Sequence, residues 1–331
     1  MIWGIMQHLG YNMWRDEPYW PDPKRWKWSN FVHDHIICDD TSWALRMDMV
    51  CKPDCKVNLM IIDVGEGVVY PSHPEIAIKG SWTPEKLNAE VKKLKSAGLT
   101  VVPKLNFSTC HDFWLGDYAR MVTSPTYYKV VREIIDDTIE IFEKPQYFHI
   151  GMDEEDWLHC SSNSYCVYRS PTKKYEDIAF YMKCLERHGA RAMMFAGSYD
   201  PKESARHSTK DALHMVGTNN EIGPDESMCT EKQRATLDRL RGYAAAGLDM
   251  VVDGSVYCGS TLEEQGAKIN VRGLPRIVKW AKDNLDPARV KGFCMTPWTT
   301  PVKATDWRFK AACDLVDISA ETVYGIKSKS L

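Results

Sequence analysis

Tyr147-Phe148-His149-Ile150-Gly151-Met152-Asp153-Glu154-Glu155-Asp156-Trp157 begins as a short apolar strand and ends in four consecutive carboxylates. Acidic residues directly after a buried strand stand where the chain leaves the core. Carboxylates held that close repel one another, which raises the pKa of at least one member, the condition a general acid requires at neutral pH. The plain alternative is a solvated loop, since charge runs are commonly solvated faces. The flanking segments place the run in a larger pattern. Ahead of it, Ser124-Pro125 opens a helix carrying Val130, Ile134, Ile135, Ile139 and Phe142; behind it, Ser170-Pro171 starts one with Ile178, Met182 and Leu185, stopped near Gly189.

The same alternation extends in both directions. Upstream strands are predicted at Ile2 to Met6, Val57 to Ile62 and Leu99 to Val102, with helices over about 41–50 and from Thr83 to Gly98. In the second of these helices Thr83 is the N-cap, Pro84 takes the first helical position, and Leu87, Val91 and Leu94 fall on one face. Downstream strands are expected at Ala192 to Phe195, Leu213 to Val216, Met250 to Val252 and Gly292 to Met295. Thr230 and Gln233 form a capping box for a helix ending at Gly247. Further helices are expected over about 274–284 and from Asp306 to Val316. Eight short strands alternating with helices, with no linker between halves, predict an α/β fold: a single (β/α)8 TIM barrel over residues 1–331. A doubly wound open sheet is the runner-up, but no glycine-rich dinucleotide loop follows any strand.

Composition narrows the partners. At 331 residues with 44% hydrophobic residues and a net charge of −3, the chain suggests neither nucleic acid nor an anionic membrane as partner. No apolar run reaches the length of a membrane span. Twelve tryptophans and fifteen tyrosines are many for this length, and flat rings are how sugar-binding clefts stack on pyranose C–H faces. Eleven cysteines form no CxxC pair, Cys51 and Cys55 or Cys160 and Cys166 being the nearest spacings. No histidines complete a zinc pattern, so no metal site and no cofactor is expected. The N-terminus enters a strand at Ile2 without a signal-type segment. Compartment therefore stays open: cytoplasmic as it stands, periplasmic or extracellular if a leader has been trimmed. Oligomeric state is not legible.

Barrel chemistry gathers at the C-terminal strand ends, where the loops converge. The residues there are His8, Asp63, Glu66, Asn106, His111, Trp114, His149, Asp153 to Asp156, Tyr199, Asn219, Asn220, Asp253, Tyr257 and Trp298. Carboxylates for acid/base work, amides for hydroxyls and rings for stacking make the inventory of a carbohydrate site. Taken singly, each residue outside the acidic run is more readily structural.

His149-Ile150-Gly151-Met152-Asp153-Glu154 resembles the H-x-G-G-D-E signature of family 20 glycoside hydrolases, the β-N-acetylhexosaminidases, whose motif also ends the fourth barrel strand. Gly80-Ser81-Trp82-Thr83, Val101-Val102-Pro103, His111, and Gly292 to Trp298 follow the family's order, so the resemblance runs from the second strand to the eighth. It implies hydrolysis of β-linked N-acetylhexosamine in glycans with retention, assisted by the substrate. Glu154 would protonate the leaving oxygen, and Asp153 would orient the 2-acetamido group whose carbonyl oxygen attacks the anomeric carbon. Tyr257 would donate to that oxygen and Trp298 would floor the pocket. His149, Asp63, Glu66, Asn106, His111, Trp114, Tyr199, Asn220 and Asp253 complete the expected substrate-binding set.

Four positions depart from the family pattern. Met152 replaces the second glycine, and Lys104 stands where a glutamate follows the third-strand proline. Gln7-His8-Leu9-Gly10-Tyr11 lacks the first-strand arginine, and Trp298-Thr299-Thr300 replaces Trp-x-Glu. Reaction type is therefore better specified than substrate. Two alternatives stand beside the leading one. In a glycosidase with a protein nucleophile, Asp253, Asp63 or Glu66 would face Glu154 at about 5–5.5 Å, or ~6.5–9.5 Å in an inverting pair. A catalytically silent, glycan-binding barrel is the other.

Overall fold

The structure, a computed structural model, describes residues 1–12, 34–157, 160, 166–218, 222–254 and 273–327. Eight parallel strands close in sequence order into a barrel. They are β1 Ile2–His8, β2 Leu59–Asp63, β3 Thr100–Lys104, β4 Tyr147–His149, β5 Arg191–Phe195, β6 Leu213–Thr218, β7 Met250–Gly254 and β8 Val290–Met295. Each is followed by a helix: α1 Asp40–Cys51, α2 Pro84–Ser96, α3 Pro125–Ile141, α4 Pro171–Glu186, α5 Pro201–Arg206, α6 Glu231–Ala245, α7 Gly273–Asn284 and α8 Asp306–Tyr324. The expected (β/α)8 architecture is what forms. Asn219, Asn220, Tyr257 and the tryptophans at 14, 20, 26 and 28 lie outside the described residues.

Helix starts follow their local chemistry. The hydroxyls of Thr83, Ser124 and Ser170 accept from the backbone N–H groups of Lys86, Tyr127 and Lys173, each ahead of a proline that needs no partner for a first-turn N–H. The Thr230–Gln233 capping box is formed at α6. Several expected bounds shift by a few residues, and two element ends have a clear local cause. The last helix continues to Tyr324, ending at Gly325 in the left-handed conformation, because Leu315, Val316 and Ala320 keep a buried face past Val316. β4 stops at His149, because Gly151 turns to a φ of +72°.

Alternation along the strands separates two cores. Met6, Leu59, Ile61, Val102, Met193, Phe195, Leu213, Met215, Val251 and Cys294 fill the barrel interior. Their neighbours, among them Ile5, Met60, Val101, Phe148, Met194 and Val252, pack outward in the larger cluster that includes the helices. The interior becomes polar one layer higher, toward the C-terminal mouth. There His8, Asp63, Lys104, His149 and Asp253 continue the inward-facing positions of β1, β2, β3, β4 and β7, and all five are buried.

Candidate active site

The four consecutive acids separate as the chain leaves β4. Asp153 and Glu154 face the mouth, with side-chain exposures of 22% and 47%. Glu155 turns inward and is buried, while Asp156 is half-buried. The separation depends on left-handed backbone at Gly151, Met152 and Glu154 (φ +72°, +72° and +57°). Such values are costly for residues with a Cβ and hold only where the surroundings impose them.

Asn106 imposes much of this geometry. Its side-chain oxygen accepts from the Met152 and Ser108 amides, both at 3.1 Å, and its Nδ2 donates to Asp153 Oδ1 at 2.7 Å. A Cβ on Gly151 would stand 1.9 Å from Asn106 Oδ1, so only glycine lets the two loops meet. His111 completes the cradle, with Nδ1 3.4 Å from Asp153 and Nε2 3.3 Å from Glu154. Burial alone would lower the His111 pKa, but the two carboxylates raise it to about 10. Burial would likewise protonate Asp153; His111, Lys104 and the Asn106 amide instead hold it far below the usual carboxylate range. The result is a fixed, ionised Asp153 beside a more exposed Glu154.

Behind this turn lies a buried bracket that the sequence did not disclose. Arg169 donates to Glu155 at 2.8 Å, to Asp177 at 3.0 Å, to the Tyr181 hydroxyl at 2.9 Å and to the Phe107 carbonyl at 2.8 Å. Glu155 also accepts from the Thr109 amide at 2.8 Å, joining the loop after β3 to the loop after β4. Its only sequence signal was an acid one place beyond the Asp153–Glu154 pair.

On the neighbouring strands β2 and β3, Asp63 accepts from Lys104 Nζ and pairs with His8 at 3.0 Å. Burial opposes its charge, but Lys104 and His8 bring its pKa down to about 2. Lys104 thus neutralises Asp63 inside the barrel, at the position where a glutamate was expected from the family pattern. Among the described residues Asp253 has no such cation beside it. Burial and the charge of Asp153 raise its pKa to about 7, and its Oδ1 has no hydrogen-bond partner among the described residues. Its carboxyl fills the space a side chain would take at Gly217, where a Cβ would lie 1.4 Å from Oδ1. Trp298 closes this side, its ring 5.8 Å from Phe195 and 6.1 Å from His8.

The remaining expected residues sit elsewhere. His149 is inside the barrel, and its Nδ1 accepts from the Gly151 amide at 3.0 Å. Burial and Lys104 lower its pKa to about 3, so the ring is neutral. Glu66 is buried and spends one oxygen on the Tyr11 and Asn12 amides, at 2.6 and 3.0 Å, anchoring the chain after β1. Trp114 packs behind the wall near Tyr70 and Phe107 and donates to the Asn106 carbonyl at 2.9 Å. Tyr199 belongs to the outer core beside Tyr175 and Lys174. Met152 points outward as well, its sulfur 3.9 Å from Arg169. Carrying the β4 alternation through the turn gives that direction: Phe148, Ile150 and Met152 face out while His149 faces in.

The loops also gather three thiols. Cys110 Sγ lies 3.5 Å from Cys160 and 3.8 Å from Cys166. Spacing along the chain pairs only the last two, and the fold supplies the first from another loop.

Neither the known protein-family models nor any curated protein matches the sequence. Solved structures do. A β-N-acetylhexosaminidase is similar at 12% identity and a TM-score of 0.64, over 96% of this chain and 71% of that one. The family 20 enzyme of Streptomyces coelicolor A3(2) is similar at 13% identity and a TM-score of 0.59, over 94% and 63%. Dispersin B is similar at 13% identity and 0.57, over 86% and 95%. The chain spans 63% of the Streptomyces protein and 50% of the Flavobacterium johnsoniae chitobiase, less than two thirds of either. At these identities the likeness establishes the barrel fold.

Proposed function

We propose that this chain is a glycoside hydrolase that cleaves β-linked N-acetylhexosamine from glycans by a retaining, substrate-assisted mechanism. The observation that carries it is the ionised Asp153, fixed by Asn106 and His111, immediately beside the more exposed Glu154 at the barrel mouth. That the structural neighbours include β-N-acetylhexosaminidases supports the same reading.

In this mechanism the 2-acetamido carbonyl oxygen attacks the anomeric carbon as Glu154 gives its proton to the departing glycosidic oxygen. The substrate's amide nitrogen gains positive charge in the resulting oxazolinium ion. Asp153, held negative in a partly buried site, stabilises that charge without reorganising. Glu154, now a carboxylate, takes a proton from the water that opens the ring. Trp298 offers an apolar face for the sugar, and no cofactor is required.

The Gln7 to Tyr11 segment, which lacks the first-strand arginine, and the Thr299-Thr300 segment differ from the family pattern where outer sugar hydroxyls are bound. Both threonines are buried, and the Thr299 and Thr300 carbonyls accept from Gln7 and Thr305 at 2.8 and 2.7 Å. Selectivity should therefore rest on the acetamido group more than on a clamp at the far edge of the ring. Chromogenic N-acetylhexosaminides and intact N-glycans, assayed beside plain hexosides, test this: only the acetamido substrates should turn over. Equal turnover of plain hexosides, or a covalent glycosyl adduct on Asp253, Asp63 or Glu66 after treatment with a fluorinated sugar, would assign a protein nucleophile instead.

A further inference from the structure

We infer that Cys110, Cys160 and Cys166 form a binding site for a thiophilic metal ion of the zinc class, which staples the two loops that build the acidic turn. All three sulfurs lie within 4.8 Å of one another. Cys110 and Cys160 are buried and Cys166 is half-buried. The separations from Cys110, 3.5 and 3.8 Å, approach the edge of a tetrahedron of thiolates. With a metal–sulfur bond of about 2.3 Å that edge is about 3.8 Å. A disulfide would use two sulfurs and strand the third, whereas one ion engages all of them.

The surroundings supply a further oxygen at the same place. Thr109 Oγ1 is 3.3 Å from Cys166 Sγ and 3.7 Å from Cys160 Sγ, so it or solvent can take the fourth corner. Soft thiolates select zinc or copper(I) over magnesium or calcium. Loss of the thiol protons on binding leaves one net negative charge around a divalent ion.

Position gives the site its consequence. Cys110 directly precedes His111, and its sulfur lies 3.3 Å from the Glu154 carbonyl oxygen. Cys160 and Cys166 lie in the sequence between Glu154 and α4. An ion here would tie the segment after β3 to the segment after β4, and its existence does not depend on the hydrolase reading.

The experiment uses the whole chain, reduced, stripped with a chelator and titrated with zinc and with cobalt(II). One zinc per chain should bind, raise the melting temperature, and slow alkylation of Cys110, Cys160 and Cys166 relative to Cys184. Cobalt should give sulfur-to-metal charge-transfer and tetrahedral d–d bands. Cys166→Ser, at the more exposed corner, should weaken zinc at least ~10-fold, while Cys184→Ser should leave it unchanged. Protection mapping on the unmutated chain keeps the test decisive if a cysteine variant misfolds. Absence of thiolate–cobalt bands with unchanged alkylation rates, or a disulfide within the trio in natively isolated protein, overturns the inference.

Discussion

The two ends of the barrel treat charge in opposite ways. At the N-terminal end, Asp249 is met by Arg191 at 3.0 Å and by Arg289 and Lys291 at 3.3 Å, and these cations are partly exposed. Nothing in this group is strained or short of partners. At the mouth, Asp63, Lys104 and Asp253 are buried, Asp253 Oδ1, His149 Nε2 and Trp298 Nε1 lack hydrogen-bond partners among the described residues, and Met152, Glu154 and Trp298 adopt left-handed backbone. One end pairs its charges at the surface; the other holds costly groups in place, as the proposed function requires. Costs of that kind cluster where strain is part of the function.

The sharpest way to break this contrast is to remove the proposed proton donor. Glu154→Gln should lower kcat by about 10²–10⁴-fold on substrates with poor leaving groups, with the melting temperature little changed. Steady-state kinetics beside a thermal melt checks both halves, and a near wild-type kcat would take Glu154 out of the mechanism.

Next in size is the bracket behind the turn. Arg169→Met leaves Glu155 and Asp177 buried without their cation, which should cost about 3–5 kcal/mol in urea unfolding. A loss under ~1 kcal/mol would mean that the two loops are held by other contacts.

The mouth should also show opposed pH responses. Asp253 titrates near 7 in the folded protein, far above its unfolded value, so it favours folding at low pH and loses that contribution as pH rises toward and through 7. Asp63, lowered to about 2, contributes above the unfolded value near 4 and loses its part only as pH falls toward 2. Asp253→Asn should therefore flatten the decline in stability between pH 4 and 8, by on the order of 3 kcal/mol. An unchanged slope would show that Asp253 is already ionised at neutral pH.

Least affected should be the other end. Asp249→Asn is expected to cost less than ~1 kcal/mol, because its partners remain hydrated, and to leave kcat as it was. A large loss of activity there would erase the distinction between the two ends.

The sequence made the barrel legible because its signals are local: caps at Thr83, Ser124 and Ser170, periodic apolar faces, and strands that end in acids. The Asp153–Glu154 pair and its neighbours Asn106 and His111 were legible for the same reason, each standing just past a strand. What depends on three-dimensional closure was not. Arg169 joins Glu155 to Asp177 of α4, Lys104 finds Asp63 across a strand pair, and Cys110 joins Cys160 and Cys166 from another loop. Glu66, Trp114 and Tyr199 had the right chemistry at strand ends, but their side chains turn to loop anchoring and the outer core.

The central claim is that Asp153 stabilises a positive oxazolinium ion formed from the substrate itself. Calorimetric binding of a thiazoline mimic of that ion, to the unmodified chain and to Asp153→Asn, tests it most directly. The unmodified chain should bind the mimic at least ~10²-fold more tightly than the product N-acetylhexosamine, as complementarity to the transition state requires, and Asp153→Asn should remove most of that difference. Equal affinity for mimic and product, unchanged by Asp153→Asn, would contradict it.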